Sequence, residues 1–180
     1  MRKLKFHETR LLRKVNLTKW KSTNTEREQI VCGKYNITER DDYLKYNKLA
    51  GKIKKLALAL AKLKDSDEFK VRVGKELINV CHSIGFIKEK KLVDCSKITV
   101  SDICNRRLSV LLKKLKMVEN IKDASIFTEH GHVKVGHRII NKPGQLISTI
   151  MEGFIRWCDD SKIKKTIDEF NNTNDNLDDL

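Results

Sequence analysis

Leu108, Leu111, Leu112 and Leu115 recur at i, i+3, i+4 and i+7, the spacing of one face of an α-helix. At about 100° per residue, Arg106, Arg107, Lys113, Lys114 and Lys116 fall away from that face. The pattern predicts buried leucines and an exposed cationic ridge. A second helix is predicted near residues 121–130, offering Ile121, Ala124 and Phe127 to the same core. The period then changes to two. Val133 and Val135 alternate with His132 and Lys134, so a short strand presents one apolar and one basic face. Gly131 suits the position just past a helix end, where φ > 0 is needed and a Cβ would be penalised. Gly136 marks a tight turn into Arg138-Ile139-Ile140, and Pro143-Gly144 a second turn. Leu146–Ile150 and, less regularly, Phe154–Trp157 read as further short strands, with Trp157 in the core.

The chain before this module reads as helical. Residues 1–23 mix basic and apolar positions, with Leu11, Leu12 and Val15 on one helical face. They are either a packed helix or a basic arm that orders on RNA or a partner. Thr25 and Glu28 form a capping-box pattern for a short helix reaching about Asn36. Thr38 is placed to cap a long helix. Its apolar stripe is Tyr46, Leu49, Ala50, Ile53, Leu56, Ala57 and Leu60, and its basic stripe Lys45, Lys48, Lys52, Lys55 and Lys62. Asp65-Ser66-Asp67 breaks that pattern and caps the next helix, which carries Phe69, Val73, Leu77, Val80, Cys81 and Ile84 and ends at Gly85. Residues 86–98 read as a loop with short extended pieces. Ser101-Asp102 opens the module. Ser161 is placed to cap a last helix carrying Ile163, Ile167 and Phe170, and residues 171–180 read as a polar, acidic, disordered tail.

The expected fold class is therefore α+β and mainly helical. N-terminal helices precede a module of two helices packed on a small β-sheet or hairpin, and a C-terminal helix follows. The expected segments are 1–37, 38–100, 101–158 and 159–180.

Charge narrows the function. Lys and Arg number 38 against 24 acids, a net charge of +14 on 180 residues. Such a surface attracts polyanions. The positive charge concentrates in residues 1–60 and 106–158, with a near-neutral stretch between them and an acidic end. The basic start does not read as a signal peptide, and no apolar run approaches the roughly 20 residues of a membrane span, so no membrane partner is expected. Cys32, Cys81, Cys95, Cys104 and Cys158 are odd in number and widely spaced, with no Cys-x-x-Cys pair. They read as free thiols in a reducing compartment, some buried as small hydrophobes. His130-x-His132 has no further ligand beside it to complete a metal site. Neither a Walker-type phosphate loop nor a Rossmann glycine pattern occurs. The paired aspartates at 41–42, 159–160 and 178–179 point different ways on any regular element. No enzyme, metal or cofactor is expected.

The run Arg106-Arg107-Leu108, Ala124-Ser125-Ile126-Phe127, His130 to Gly136 and Pro143 resembles the RNA-binding domain first named in ribosomal protein S-four. Val135 stands where that domain usually carries an Asn before its turn glycine. The opening Met1 to Glu8, Arg40-Asp41-Asp42-Tyr43 with Tyr46-Asn47, Trp157-Cys158-Asp159 and Ser161 to Lys165 extend the likeness over essentially the whole chain. Together they resemble the Imp-three family, the S-four-type proteins of the U3 small nucleolar ribonucleoprotein.

The resemblance implies a non-catalytic, nucleolar RNA-binding assembly factor of the small-subunit processome. It would promote pairing of U3 RNA with pre-ribosomal RNA and early processing of the small-subunit rRNA precursor. The implied partners are U3 snoRNA, pre-rRNA, Imp-four and the scaffold M-phase phosphoprotein ten. The apolar side of the early helices is the expected scaffold contact. The alternative is an integral small-subunit ribosomal protein of the same domain family. The candidate RNA contacts are Arg106, Arg107, Lys113, Lys114, Lys116, His130, His132, Lys134 and Arg138. Enzymes with an S-four-type domain join it to a much larger catalytic domain.

Overall fold

The computed structural model describes residues 2–14 and 22–178. Val15 of the expected arm lies outside the described residues, as do the side chains of Leu11 and Leu12. Among the described residues the fold is a mainly helical α+β arrangement of ten helices and three short strands.

The first helices are α1 (Phe6–Lys14), α2 (Ser22–Tyr35) and α3 (Arg40–Ala61). α2 starts before Thr25, so the expected capping box lies inside the helix and does not open it. Its stop is Asn36, which takes the left-handed region at φ 48°, a conformation an Asx residue tolerates. α3 is capped at Glu39 rather than Thr38, without a side-chain hydrogen bond. Asp41 and Asp42 in its first turn complement the helix dipole instead. Tyr43, Tyr46, Ala50, Ala57 and Leu60 are buried, but Leu49 and Leu56 of the expected stripe are exposed.

α4 (Glu68–Ile84) begins as expected, with the Asp67 carboxylate accepting from the Phe69 N–H at 3.3 Å, and stops at Gly85. Residues 86–98 are not a loop throughout, because α5 (Leu92–Lys97) forms within them. Its cause is burial of Cys95, with Ile98 buried just beyond the helix and Leu92 packed against the same cluster. α6 (Val100–Cys104) opens with Asp102 accepting from the Thr99 N–H at 2.9 Å and hydroxyl at 2.7 Å.

α7 (Leu108–Lys114) and α8 (Ile121–Glu129) follow, then β1 (Val133–Val135) and β2 (Arg138–Ile139). α9 (Thr149–Glu152), β3 (Ile155–Trp157) and α10 (Lys162–Asp178) complete the chain. The sheet is antiparallel in the order β2-β1-β3, with Lys134 opposite both Ile139 and Arg156. Gly131 and Gly136 take φ 76° and 62°, as the two stops require. The expected strand at 146–150 does not form. Leu146 makes one bridge to Arg107, and the Ile147 carbonyl is taken by the Arg106 guanidinium rather than by a neighbouring strand. α10 continues to Asp178, so the expected disordered tail is helical there. A polar composition reports the lack of a face to bury, not the lack of a helix.

Two cores result. One gathers Tyr35, Tyr46, Ala57, Cys81, Cys95, Ile103 and Cys104 from α2 to α6. The other gathers Leu108, Leu111, Leu112, Ala124, Val133, Val135 and Ile155. Each fully buried leucine contributes about 1.5–3 kcal/mol. Leu115 sits past the end of α7 and is 41% exposed, so it does not complete the predicted leucine face. The two cores meet at residues 106–107, where the Leu108 N–H donates to the Gln145 carbonyl and the Ile147 N–H to that of Arg106. All five cysteines are free thiols. Burial pushes Cys81 up to about 12 and Cys104 up to about 11, so both are neutral packing groups.

Candidate nucleic-acid interface

The sheet has two chemically different faces. Val133, Val135 and Ile155 are buried beneath it. On the other face the register sets Lys134 directly opposite Arg156. Like charges so placed repel. Asp159 relieves this, accepting from Lys134 and, at 2.8 Å, from Lys164. Those two ammonium groups hold the Asp159 carboxyl down to about 2, and the carboxylate in turn raises Lys164. Arg156 stays exposed. It was not among the sequence candidates, because strand register alone brings it beside Lys134.

The exposed end of α7 adds Lys113 and Lys116. Lys116 takes φ 56° and closes the helix. Met117, the next residue, shares a groove of about 400 Å³ with Lys134, Arg156, Trp157 and Lys164, so the α7 end adjoins the cationic row. Arg138 is exposed on the outer strand β2. His130 is exposed just past α8. Trp157 is half-buried and meets Phe127 edge-to-face at 6.1 Å, which is a core contact as expected.

Four candidates have other roles. Arg106 and Arg107 are only 7% and 3% exposed, contrary to the predicted ridge. Arg106 donates to the Ile147 carbonyl through Nε at 3.0 Å and Nη2 at 2.9 Å, and to Glu152 at 2.7 Å. Arg107 donates to the Tyr46 hydroxyl at 3.1 Å and lies 5.7 Å from that ring's centre, within cation–π range. Tyr46 in turn donates to the Gly144 carbonyl at 3.0 Å. The physical reason is that α7 begins only at Leu108. Arg107 has extended backbone, so a helical period cannot place its side chain. His132 is half-buried, with Nδ1 3.0 Å from the Ser161 hydroxyl and Phe127 edge-on at 6.3 Å. The Ser161 hydroxyl thus joins the hairpin to α10, which Ser161 immediately precedes, as expected of its cap. Although the pair has the spacing of a nucleophile and base, Ser161 is 4% exposed and no substrate can reach it. Lys114 turns away from the hairpin, lining a different cleft beside Arg106.

The assembled surface can neutralise a run of phosphates beside an aromatic-floored groove. That chemistry suits a nucleic-acid backbone. A family model, Ribosomal protein S4/S9 N-terminal domain, matches residues 3–105. The chain is 42% identical to the U3 small nucleolar ribonucleoprotein protein IMP3 of Saccharomyces cerevisiae over 180 residues, covering 99% of this chain and 98% of that protein. It is 36% identical to the protein of the same description from Homo sapiens, with the same coverage. The chain belongs to the IMP3 family, within the wider ribosomal protein S4 group. A small ribosomal subunit protein uS4 of Trypanosoma brucei brucei is more distant, at 25% identity over 76% of this chain. The IMP3 relatives therefore span the hairpin and α10 as well as the helices that the family model covers.

Proposed function

We propose that this chain is a non-catalytic RNA-binding assembly factor of the U3 small nucleolar ribonucleoprotein, acting in the nucleolus on the small-subunit processome. In this reading it promotes pairing of U3 snoRNA with pre-rRNA and so the early processing of the small-subunit rRNA precursor. The observation that carries it is the cationic row of Lys134 and Arg156 beside Lys113 and Lys116, in a chain alignable end to end with IMP3 proteins. Lysine and arginine displace counterions from phosphates, giving affinity without reading sequence. Two RNA strands held on one positive surface repel each other less and anneal more readily. Structured RNA suits a rigid helix pair with a hairpin, recognised by shape and unpaired nucleotides. M-phase phosphoprotein ten and Imp-four are the proposed protein partners.

Ultraviolet crosslinking in cells, followed by sequencing of the attached RNA, tests the reading. Enrichment of U3 RNA and the pre-rRNA leader is expected. Crosslinks confined to mature small-subunit rRNA would overturn it in favour of a ribosomal protein, the class of the uS4 relatives.

A further inference from the structure

A second cleft, of about 800 Å³, opens between α5, α6, the segment after α4 and the end of α7. Its volume lies within the roughly 300–1,000 Å³ typical of ligand sites. Five cations line it: Lys88, Lys91, Lys97, Arg106 and Lys114. The carboxylates beside them are Glu89, Asp94 and Asp102. Two are already engaged. Glu89 pairs with Lys91 at 2.5 Å, and Asp102 accepts from Thr99. Arg106 is engaged too, by Glu152 and the Ile147 carbonyl. Lys88, Lys97 and Lys114 thus converge on one cleft with a shortage of negative charge. Lys114 reaches only the Asn105 carbonyl, at 3.4 Å. Its ammonium is disfavoured by burial first and then by the charge of Arg106; the Glu152 carboxylate opposes this, and Lys88 adds a smaller push the same way as Arg106. By contrast Lys45, Lys70, Lys134 and Lys164 each meet a carboxylate, as Lys91 does within the cleft.

We propose that this cleft binds the phosphate backbone of an RNA strand, as a contact surface separate from the hairpin face. The proposal rests on the RNA-binding reading above and extends it to a named site. The chemistry favours a backbone over a single phosphorylated side chain. Recognition of one phosphate uses free arginine forks. Here the arginine is occupied, and the available groups are lysines, mobile point charges on three different elements. Such a spread suits successive phosphates. Lys114 is adjacent to Lys113, so a strand leaving the α7 end can enter the cleft directly.

The test compares two variants of the full chain in binding a single-stranded RNA oligonucleotide across a salt series. One is Lys88→Gln with Lys97→Gln and Lys114→Gln. The other is Lys113→Gln with Lys116→Gln and Arg138→Gln. All six side chains are exposed, and thermal unfolding checks that both variants fold. Loss of three phosphate contacts makes the log–log salt dependence shallower by about 2, at roughly 0.7 per contact for single strands. The expected result is that shift in the cleft variant as well as the hairpin variant. An unchanged cleft variant beside a weakened hairpin variant would overturn the cleft and leave the RNA reading intact. No change in either would overturn both. A cleft variant that loses a phosphoserine peptide or inorganic phosphate, yet binds RNA normally, would also overturn the proposal. Lysine acetylation footprinting of the unmodified chain gives a second measurement. RNA should protect Lys88, Lys97 and Lys114, and full reactivity of all three would overturn the site.

Discussion

The two cationic segments flanking α7 have opposite fates. Arg106 and Arg107, before the helix, are buried at the seam between the two cores. Lys113 and Lys116, at its other end, remain in water. One helical period describes all four in the sequence, yet only the second pair obeys it. The difference has two physical sources. Periodicity fixes direction only for residues that share the helical backbone, and α7 starts at Leu108. Chemistry then decides which cation tolerates burial. A guanidinium carries five donors in a planar fork, enough for a carbonyl, a carboxylate and a tyrosine ring. An ammonium is a strongly hydrated point charge and stays outside. Basic residues therefore divide here into those that join cores and those free to meet a polyanion.

Replacing the buried pair should break that comparison most visibly. Arg106→Ala leaves the Ile147 carbonyl without both its donors and Glu152 without its partner. Arg107→Ala strips the Tyr46 hydroxyl of its donor and empties the space over the ring. Each change should cost about 2–4 kcal/mol, from a buried unpaired group plus a cavity. Arg107 sits towards the lower end, because its Nε is buried without a hydrogen-bond partner. Urea unfolding measures the cost. Lys113→Ala should change stability by no more than about 0.5 kcal/mol in the same assay. Equal, small effects at all three positions would restore the exposed ridge.

Lys116 sharpens the contrast from the other side. Its φ of 56° strains a residue with a Cβ. Lys116→Gly should therefore stabilise the chain, by up to about 1 kcal/mol once glycine's unfolded-state freedom is subtracted. RNA affinity should fall at the same time, since a phosphate contact is lost. A variant that is more stable yet binds RNA less well would separate the functional lysine from a structural one. A drop in both would mean that the lysine side chain packs.

The sequence carried the hairpin module because local rules dominate there. Gly131 and Gly136 have positive φ, the valines alternate, and Leu108, Leu111 and Leu112 are fully buried. The Asp67 cap and Gly85 stop were equally readable. Long-range partners were not. α5 forms because Cys95 finds a pocket made by distant helices, and the contact counts for nothing in a window of its own residues. The 146–150 strand fails because Arg106 takes a carbonyl 41 positions away. Arg156 enters the proposed interface through register, and the contact of the Ser161 hydroxyl with His132 is likewise long-range. Of the candidate contacts, Lys113, Lys114, Lys116, His130 and Arg138 stayed exposed and Lys134 is partly exposed, whereas Arg106 and Arg107, at the junction before α7, were absorbed by it.

The finest distinction concerns Lys134, which lies in the proposed interface yet is tied to Asp159. The carboxyl is held down to about 2, against its ordinary 3.8, by Lys134 first and then Lys164. Its native-state value is depressed, so the interaction contributes fully above pH 4 or so and is lost as pH falls towards about 2. Both partners are close to solvent, so the stability at stake is small. Its effect on charge is larger in consequence. Asp159→Asn removes an anion from the face proposed to meet phosphates and frees Lys134, so RNA affinity at neutral pH should rise a few-fold, with a steeper salt dependence. Carbon-detected NMR of the Asp159 carboxyl should show a midpoint near about 2 in the native chain, moving up towards 3.8 in Lys134→Ala. If the midpoint stays low in that variant, Lys164 alone holds the carboxylate. Lys134 would then be as free for RNA as Arg156, and Asp159→Asn should raise the affinity only by the smaller amount that follows from removing one anion from the face.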